Sequence, residues 1–291
     1  MKNLVTIGFM ILAAAGSALA GFEVREEVRV AAVRIDWQGY ELQGRLFRPE
    51  VEGRLPLVVL AHGTCGKRCR RRAGFGDYMH PVARAFARSG YVAYAFNRLG
   101  YGGSEGYLGQ PHRSRESNGG CNTQDYKTAG RLVAEQIRLV VAELVKEPFV
   151  DPGRVVVIGH SGGGLGAIAL TEEGAPGLRG VISAAGARGG ACAKGEYLGG
   201  HFYNENMTAA YQVFARSSTT PVLMLFAKND PRTARAGSWR DAYAGAGGSV
   251  ELVVLPRQRG SGHSLKRWDS ADWVPIAGRF LEGLGLPTLG N

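Results

Sequence analysis

The sequence predicts an α/β protein, with a mostly parallel sheet of about eight strands and helices on both faces. Three observations carry this. From Pro56 onward, short apolar runs alternate with longer amphipathic segments, the pattern of βαβ units. The runs are mostly apolar rather than alternating, as strands of a parallel sheet covered on both faces are expected to be. One of them, 155–158, leads directly into a serine framed by glycines, Gly159-His160-Ser161-Gly162-Gly163.

Residues 1–20 open with Lys2, continue as an apolar run from Leu4 to Ala15 and end in Ala18-Leu19-Ala20. This is the pattern of a secretory signal peptide with an A-x-A cleavage site. One folded domain over 21–291 is therefore expected, exported to the periplasm or beyond. An uncleaved anchor is the alternative, but the run is short for a span and ends in small residues, so no stable membrane insertion is expected.

Residues 24–36 and 40–48 read as an antiparallel hairpin about Gln38-Gly39, at one edge of the sheet. The parallel strands follow at 57–61, 91–96, 155–158, 181–185, 222–227 and 250–255. Residues 77–89 read as a helix closed by Gly90. A longer helix over 125–146 has its apolar face at Leu132, Ile137, Val140, Val141 and Leu144. A last helix is expected over 272–281. Two stretches, 100–123 and 188–218, read as irregular. Each follows a core strand at its carboxyl end, the ligand edge of an open α/β sheet, so both are expected to form the substrate rim.

The net charge of +10 gathers partly in Lys67-Arg68-Cys69-Arg70-Arg71-Arg72. No aromatic residue interleaves this run to stack bases, so a solvated loop is expected and a nucleic-acid partner is not. The four cysteines, Cys65, Cys69, Cys121 and Cys192, are an even set in an oxidising compartment and predict two disulfides. Pairing Cys65 with Cys69 and Cys121 with Cys192 is the sequence-local choice among three. A zinc site is poorly supported, because Cys-x3-Cys with two scattered partners is not zinc-ligand spacing.

The segment Arg154-Val-Val-Val-Ile-Gly-His-Ser-Gly-Gly-Gly has the strand-turn-helix setting of a nucleophile elbow with Ser161 at its apex. Such a turn forces its central residue into a strained conformation and needs small neighbours. It lacks the lysine of a P-loop and the spacing of a dinucleotide fingerprint. A serine hydroxyl needs a base, and that base needs a carboxylate to fix its tautomer. Asp230 stands just past the strand 222–227 and His263 in the loop after the strand 250–255, so the chain order is Ser161, Asp230, His263. The other histidines fit worse: His160 lies in the elbow, His80 on a helix, His112 and His201 in rim stretches, and His62 is expected to brace its loop.

Acyl transfer also needs donors for the oxyanion. Gly162 supplies one amide; the second is expected from Thr64, with Cys65 the alternative, in His62-Gly63-Thr64-Cys65-Gly66. Arg98, Tyr101, Tyr107 and Tyr203 are candidates for the substrate rim, the arginine for a substrate carboxylate and the tyrosines for an apolar subsite. Arg113, Tyr197, Phe202 and Tyr211 are weighed with them. Surface exposure for the arginines and loop packing for the aromatics are the alternatives.

With these residues in place, the chain resembles the α/β-hydrolase superfamily, and within it the dienelactone-hydrolase-like branch of exported bacterial hydrolases. The matching segments are LVVLAHGTCG (57–66), FNRLGYGGSEG (96–106), VVVIGHSGGG (155–164), FAKNDP (226–231) and GSGH (260–263). The resemblance implies the α/β-hydrolase fold and an ester hydrolysis through an acyl-enzyme, with neither metal nor cofactor. Dienelactone hydrolases proper carry a cysteine nucleophile where Ser161 stands here. Asn97 replaces an acidic residue of many relatives, and altered loop bracing is the expected consequence. The expected function is a serine hydrolase acting on a small or medium carboxylic ester. The rivals are a peptidase of the same fold and a catalytically silent envelope binding protein.

Overall fold

The computed structural model describes residues 22–35, 38–65, 74–105, 125–188 and 201–290. The expected signal peptide, the basic run 67–72, Cys69, Cys121, Cys192, Tyr107, Arg113 and Tyr197 lie outside the described residues.

β1 (Val24–Ile35) and β2 (Gln38–Pro49) form an antiparallel hairpin, and β2 pairs antiparallel with β4 (Val92–Phe96). β3 (Leu55–Ala61), β4, β5 (Val150–His160), β6 (Leu178–Ala184), β7 (Val222–Ala227) and β8 (Val250–Leu255) run parallel. The eight-stranded order is β1-β2-β4-β3-β5-β6-β7-β8. β3, β4 and β7 are buried almost throughout, which is why they read as unbroken apolar runs. Each buried Val, Leu or Ile in them contributes about 1.5–3 kcal/mol, the stabilisation against which local strain at the sheet's edge is held.

From β3 the chain steps to β4 through α1 (His80–Arg88), then reverses over β3 to β5 through α2 (Tyr126–Leu144). It continues in that direction through α3 (Gly162–Leu170), α4 (His201–Ala215) and α5 (Thr233–Gly245) to β8. Right-handed crossovers in opposite directions place α1 on one face and α2 to α5 on the other. The reversal opens a crevice beyond the carboxyl ends of β3 and β5, the place where such sheets bind ligands. α6 (Ser270–Gly283) closes the chain, and the tail behind it is tied to the end of α1 by Tyr91 Oη donating to Pro287 O (2.6 Å).

Several expectations are corrected. The helix expected over 77–89 begins as a 3-10 turn, Phe75–Met79, and becomes α-helical only at His80, where Pro81 suits the first turn. The strand expected over 155–158 extends to Val150–His160 across a register shift opposite Leu55 and Leu57. Asp125, expected inside the long helix, is its N-cap and accepts from Thr128 N (2.9 Å). The stretch 188–218 is not irregular throughout: α4 occupies part of it, burying Met207, Ala210, Tyr211 and Phe214 at helical spacing.

Candidate active site

Ser161 sits between β5 and α3 with φ 53° and ψ −117°, a conformation L-residues rarely adopt. The turn holds because its neighbours are small. A Cβ on Gly159 would strike Gly163 O, and one on Gly163 would strike Ala61 O and His62 O of β3 and its loop. Ser161 N donates to Ala184 O (2.9 Å), while Ser161 O accepts from Leu165 N (2.9 Å) and Ala187 N (3.2 Å). The strained residue is therefore fastened to β6, to α3 and to the loop beyond β6.

The structure brings the three expected side chains together. Ser161 Oγ lies 3.0 Å from His263 Nε2, and His263 Nδ1 lies 2.7 Å from Asp230 Oδ2. Asp230 is buried, and its other oxygen accepts from Arg232 N (2.9 Å) and faces Arg232 Nη1 at 3.5 Å. Burial pushes the Asp230 carboxyl up, but the hydrogen bond and charge of His263, with the amide and guanidinium of Arg232, hold it below the usual carboxylate value. It stays ionised and aims one oxygen at His263. The loops carrying these residues are stapled: Asn229 Nδ2 donates to Gln258 O (3.0 Å) and Gly260 O (2.9 Å), and Trp268 Nε1 donates to Gly262 O (2.7 Å).

Across the crevice, the loop after β3 brings Thr64 against the elbow. A Cβ on Gly162 would strike Thr64 Oγ1 and stand 3.4 Å from Thr64 N. The two candidate donors thus converge. The amide of Cys65, the alternative, donates instead to Tyr101 Oη at 3.2 Å, which favours Thr64. His62 braces the loop as expected: Nδ1 donates to Gly63 O (2.7 Å) and Nε2 accepts from Arg98 N (3.0 Å). Burial, then the nearby Arg98 charge, drives its pKa well below the ordinary histidine value, so it is neutral.

Arg98 and Tyr101 do not form the rim. Arg98 is 3% exposed and its Nη2 donates to Gly63 O (2.8 Å) and Thr64 Oγ1 (3.1 Å); its guanidinium lies over the Tyr101 ring. Tyr101 is 1% exposed, with its hydroxyl on the Cys65 backbone. Both brace the loop after β3 from behind, because its outward carbonyls need donors that its backbone cannot supply. Tyr211 likewise packs the core and donates to Gly186 O (2.5 Å). The side chains of Phe202 and Tyr203 lie outside the described residues. Asn97 is a brace, accepting from Gly76 N (3.2 Å).

Asn229, the weaker sequence candidate for the carboxylate's place beside Asp230, staples the loops instead, while Arg232 and Tyr78 join the site without a motif to point to them. Arg232 is recognisable only as the residue two beyond Asp230; Tyr78, on a segment distant in sequence, gives no local sign. Among the described residues, no group of three or more His, Cys, Asp and Glu side chains is placed to hold a metal ion, and no helix is long and apolar enough to cross a membrane. One cleft away from the triad is lined by Arg131, Glu135 and Glu172, and another by Gln43, Asp77 and His80.

A parallel sheet with a serine elbow at its topological reversal, facing a histidine and an aspartate from the last two strands, is the arrangement of an α/β hydrolase. The chain belongs to the alpha/beta hydrolase family, whose sequence model matches residues 58–281. It is 30% identical over 151 residues to the quorum-quenching protein AidA of Acinetobacter baumannii (strain MDR-ZJ06), a match covering 52% of this chain and 42% of that protein. The chain thus spans less than half of that relative's length. Among solved structures, its fold is similar to a dienelactone hydrolase of Anabaena variabilis (TM-score 0.51, 16% identity, 82% of this chain and 89% of the other). It is similar also to Est1E of Butyrivibrio proteoclasticus, solved with ferulic acid bound (TM-score 0.52, 17% identity, 77% and 88%).

Proposed function

We propose that the protein is a serine hydrolase that cleaves small or medium carboxylic esters through an acyl-enzyme. The observation that carries this is the continuous line from Ser161 Oγ to His263 Nε2 (3.0 Å) and from His263 Nδ1 to Asp230 Oδ2 (2.7 Å). In the reaction, His263 Nε2 takes the Ser161 proton as Oγ attacks the ester carbonyl. Asp230, held ionised, stabilises the resulting imidazolium. The oxyanion accepts from the amides of Gly162 and Thr64, and the imidazolium then protonates the departing alcohol. Water, deprotonated by His263, attacks the acyl-enzyme; the bond from acyl carbon to Ser161 Oγ breaks as the imidazolium returns its proton to Oγ, releasing the acid and restoring the enzyme. No step calls on a metal or cofactor.

The proposal extends to location: residues 1–20 direct export and are removed. The even set of four cysteines suits an oxidising compartment. Sequencing the amino terminus of the mature protein checks this, with Gly21 first expected.

A fluorophosphonate probe tests the reaction class. It should label the native protein and leave Ser161→Ala unlabelled; equal labelling of the two would sink the reading. A substrate panel should then contain p-nitrophenyl esters, feruloyl esters, lactones, bacterial signalling compounds, suggested by the Acinetobacter protein's name, and an anilide. Turnover of the anilide alone would favour a peptidase.

A further inference from the structure

The residue before the nucleophile, His160, is a buried histidine outside the proton-transfer line, although its ring lies 5.2 Å from that of His263. Its Nε2 is 2.7 Å from the backbone carbonyl of His263, which can only accept, so Nε2 carries the proton. Nδ1 is then an acceptor, and Tyr78 Oη donates to it at 2.8 Å. Tyr78 Oη in turn accepts from Gly63 N at 2.6 Å. Each ring nitrogen of His160 has one role, Tyr78 Oη accepts from one side and donates to the other, and the direction of every bond follows from the two backbone ends. The fit is close: a Cβ on Gly63 would stand 3.1 Å from Ser161 Cβ and 3.2 Å from both His160 Nδ1 and Tyr78 Oη.

We infer that Tyr78 and His160 are positioning residues, a neutral hydrogen-bonded relay that locks the oxyanion loop and the histidine loop to the nucleophile elbow. The inference rests on the serine-hydrolase reading. The relay starts one residue before Thr64, passes through the residue beside Ser161 and ends on the carbonyl of His263 itself. It therefore sets the mutual register of the nucleophile, the base and the second oxyanion donor. It also consumes the Gly63 amide, leaving Thr64 and Gly162 to face the oxyanion. Burial, then the charge of His263, lowers the His160 pKa to about 3, and Arg232 adds to this while Asp230 opposes it, so the relay stays neutral under working conditions.

Displaced donors and base are felt in the transition state more than in ground-state binding, so the loss should fall on kcat. The test measures p-nitrophenyl acetate hydrolysis, fluorophosphonate labelling and thermal melting of the wild type and variants. Tyr78→Phe should lower kcat about 10- to 100-fold, with KM within about twofold and the same factor at pH 6 and pH 9. His160→Leu should lose at least as much, and His160→Gln, whose amide nitrogen retains a donor for the His263 carbonyl, should recover part of it. Combined with Tyr78→Phe, His160→Gln should cost little more than the worse single change, since both break one relay. Retention of kcat within about threefold in Tyr78→Phe, a loss confined to KM, or losses that multiply would overturn the inference. If Tyr78→Phe does not fold, the Leu-against-Gln comparison at position 160 decides alone, equal loss in the two overturning it. A wild type that neither labels nor turns over ester would instead defeat the serine-hydrolase reading itself.

Discussion

The two walls of the crevice are built on opposite electrostatic plans. The wall after β3 is braced by groups that keep one charge state: neutral His62, neutral Tyr101 and the permanently charged Arg98, all on the backbone of residues 62–65. The wall after β7 and β8 is held by an ionised carboxylate, an arginine and the histidine that must change its charge. In the proposed reaction the first wall presents fixed dipoles to a transient anion, and fixed dipoles work best when nothing near them titrates. The second cycles a proton in that same proposal. The difference teaches that pH should govern only one wall, and each prediction below tests that division.

The largest effect belongs to the titrating wall. Asp230→Asn keeps the shape but no longer fixes the His263 tautomer that presents a bare Nε2 to Ser161. A loss of roughly 10⁴-fold in kcat is expected, with KM little changed. Stopped-flow or end-point ester hydrolysis checks it, and a loss below about tenfold would mean that Asp230 is not the orienting carboxylate.

Next is the fixed wall. Arg98→Met removes the donors to Gly63 O and Thr64 Oγ1 and should displace the Thr64 amide, lowering kcat about 10- to 100-fold. Because Arg98 is charged at every relevant pH, the profile of kcat against pH should drop without moving sideways. A sideways shift would show that the two walls share charge, and the division would fail.

The fold was legible wherever burial is continuous. β3, β4 and β7 are covered on both faces, so their apolar runs stand out, whereas the reversal at β3 is visible only in the strand order. Ser161 and Asp230 were legible because each stands just beyond a buried strand, and His263 because it lies in the loop after the edge strand β8, still mostly apolar despite Glu251. Arg98 is not a rim residue, although polar residues past a strand end ordinarily face solvent, and Tyr101 takes the loop-packing alternative. Here a loop with unmet carbonyls draws them inward, a demand visible only in three dimensions. α4 was missed for the opposite reason: Asn204, Asn206, Thr208 and Gln212 break up the apolar face that Met207, Ala210, Tyr211 and Phe214 form. The Tyr78 to His160 bond joins residues 82 apart, with no spacing rule to announce it.

Acid stability gives a smaller and graded effect. His62 and His160 are buried and neutral, with folded pKa values well below normal and at about 3, respectively. The unfolded chain takes up protons at these sites below about pH 6.5, whereas the folded chain does not. Their neutrality is therefore fully stabilising above the unfolded value and is lost as pH falls toward the folded one. At pH 5 the His160 site should cost about 2 kcal/mol of stability relative to neutral pH, and His62 adds to the loss in the same direction. The lowered pKa of Asp230 acts in the same direction, its contribution fading only nearer its own folded value. Melting temperature measured from pH 8 to pH 4.5 should fall below about pH 6, and His160→Gln should flatten part of that slope. An unchanged slope would mean that His160 is not held neutral by the fold.

The smallest effect concerns how the titrating wall is kept in place. Asn229 joins the loop after β7 to the loop after β8, donating to Gln258 O and Gly260 O and accepting from Gln258 N at 2.9 Å. Asn229→Ala leaves those backbone groups near the surface, where water replaces part of what is lost, so about 1–2 kcal/mol of stability should disappear. The catalytic cost should be modest, about three- to tenfold in kcat, because His263 is still held by Asp230 and by the His160 relay. If Asn229→Ala instead matched the loss in Asp230→Asn, the staple and not the carboxylate would be fixing the histidine. The two variants assayed side by side, by chemical denaturation and by ester turnover, separate these outcomes.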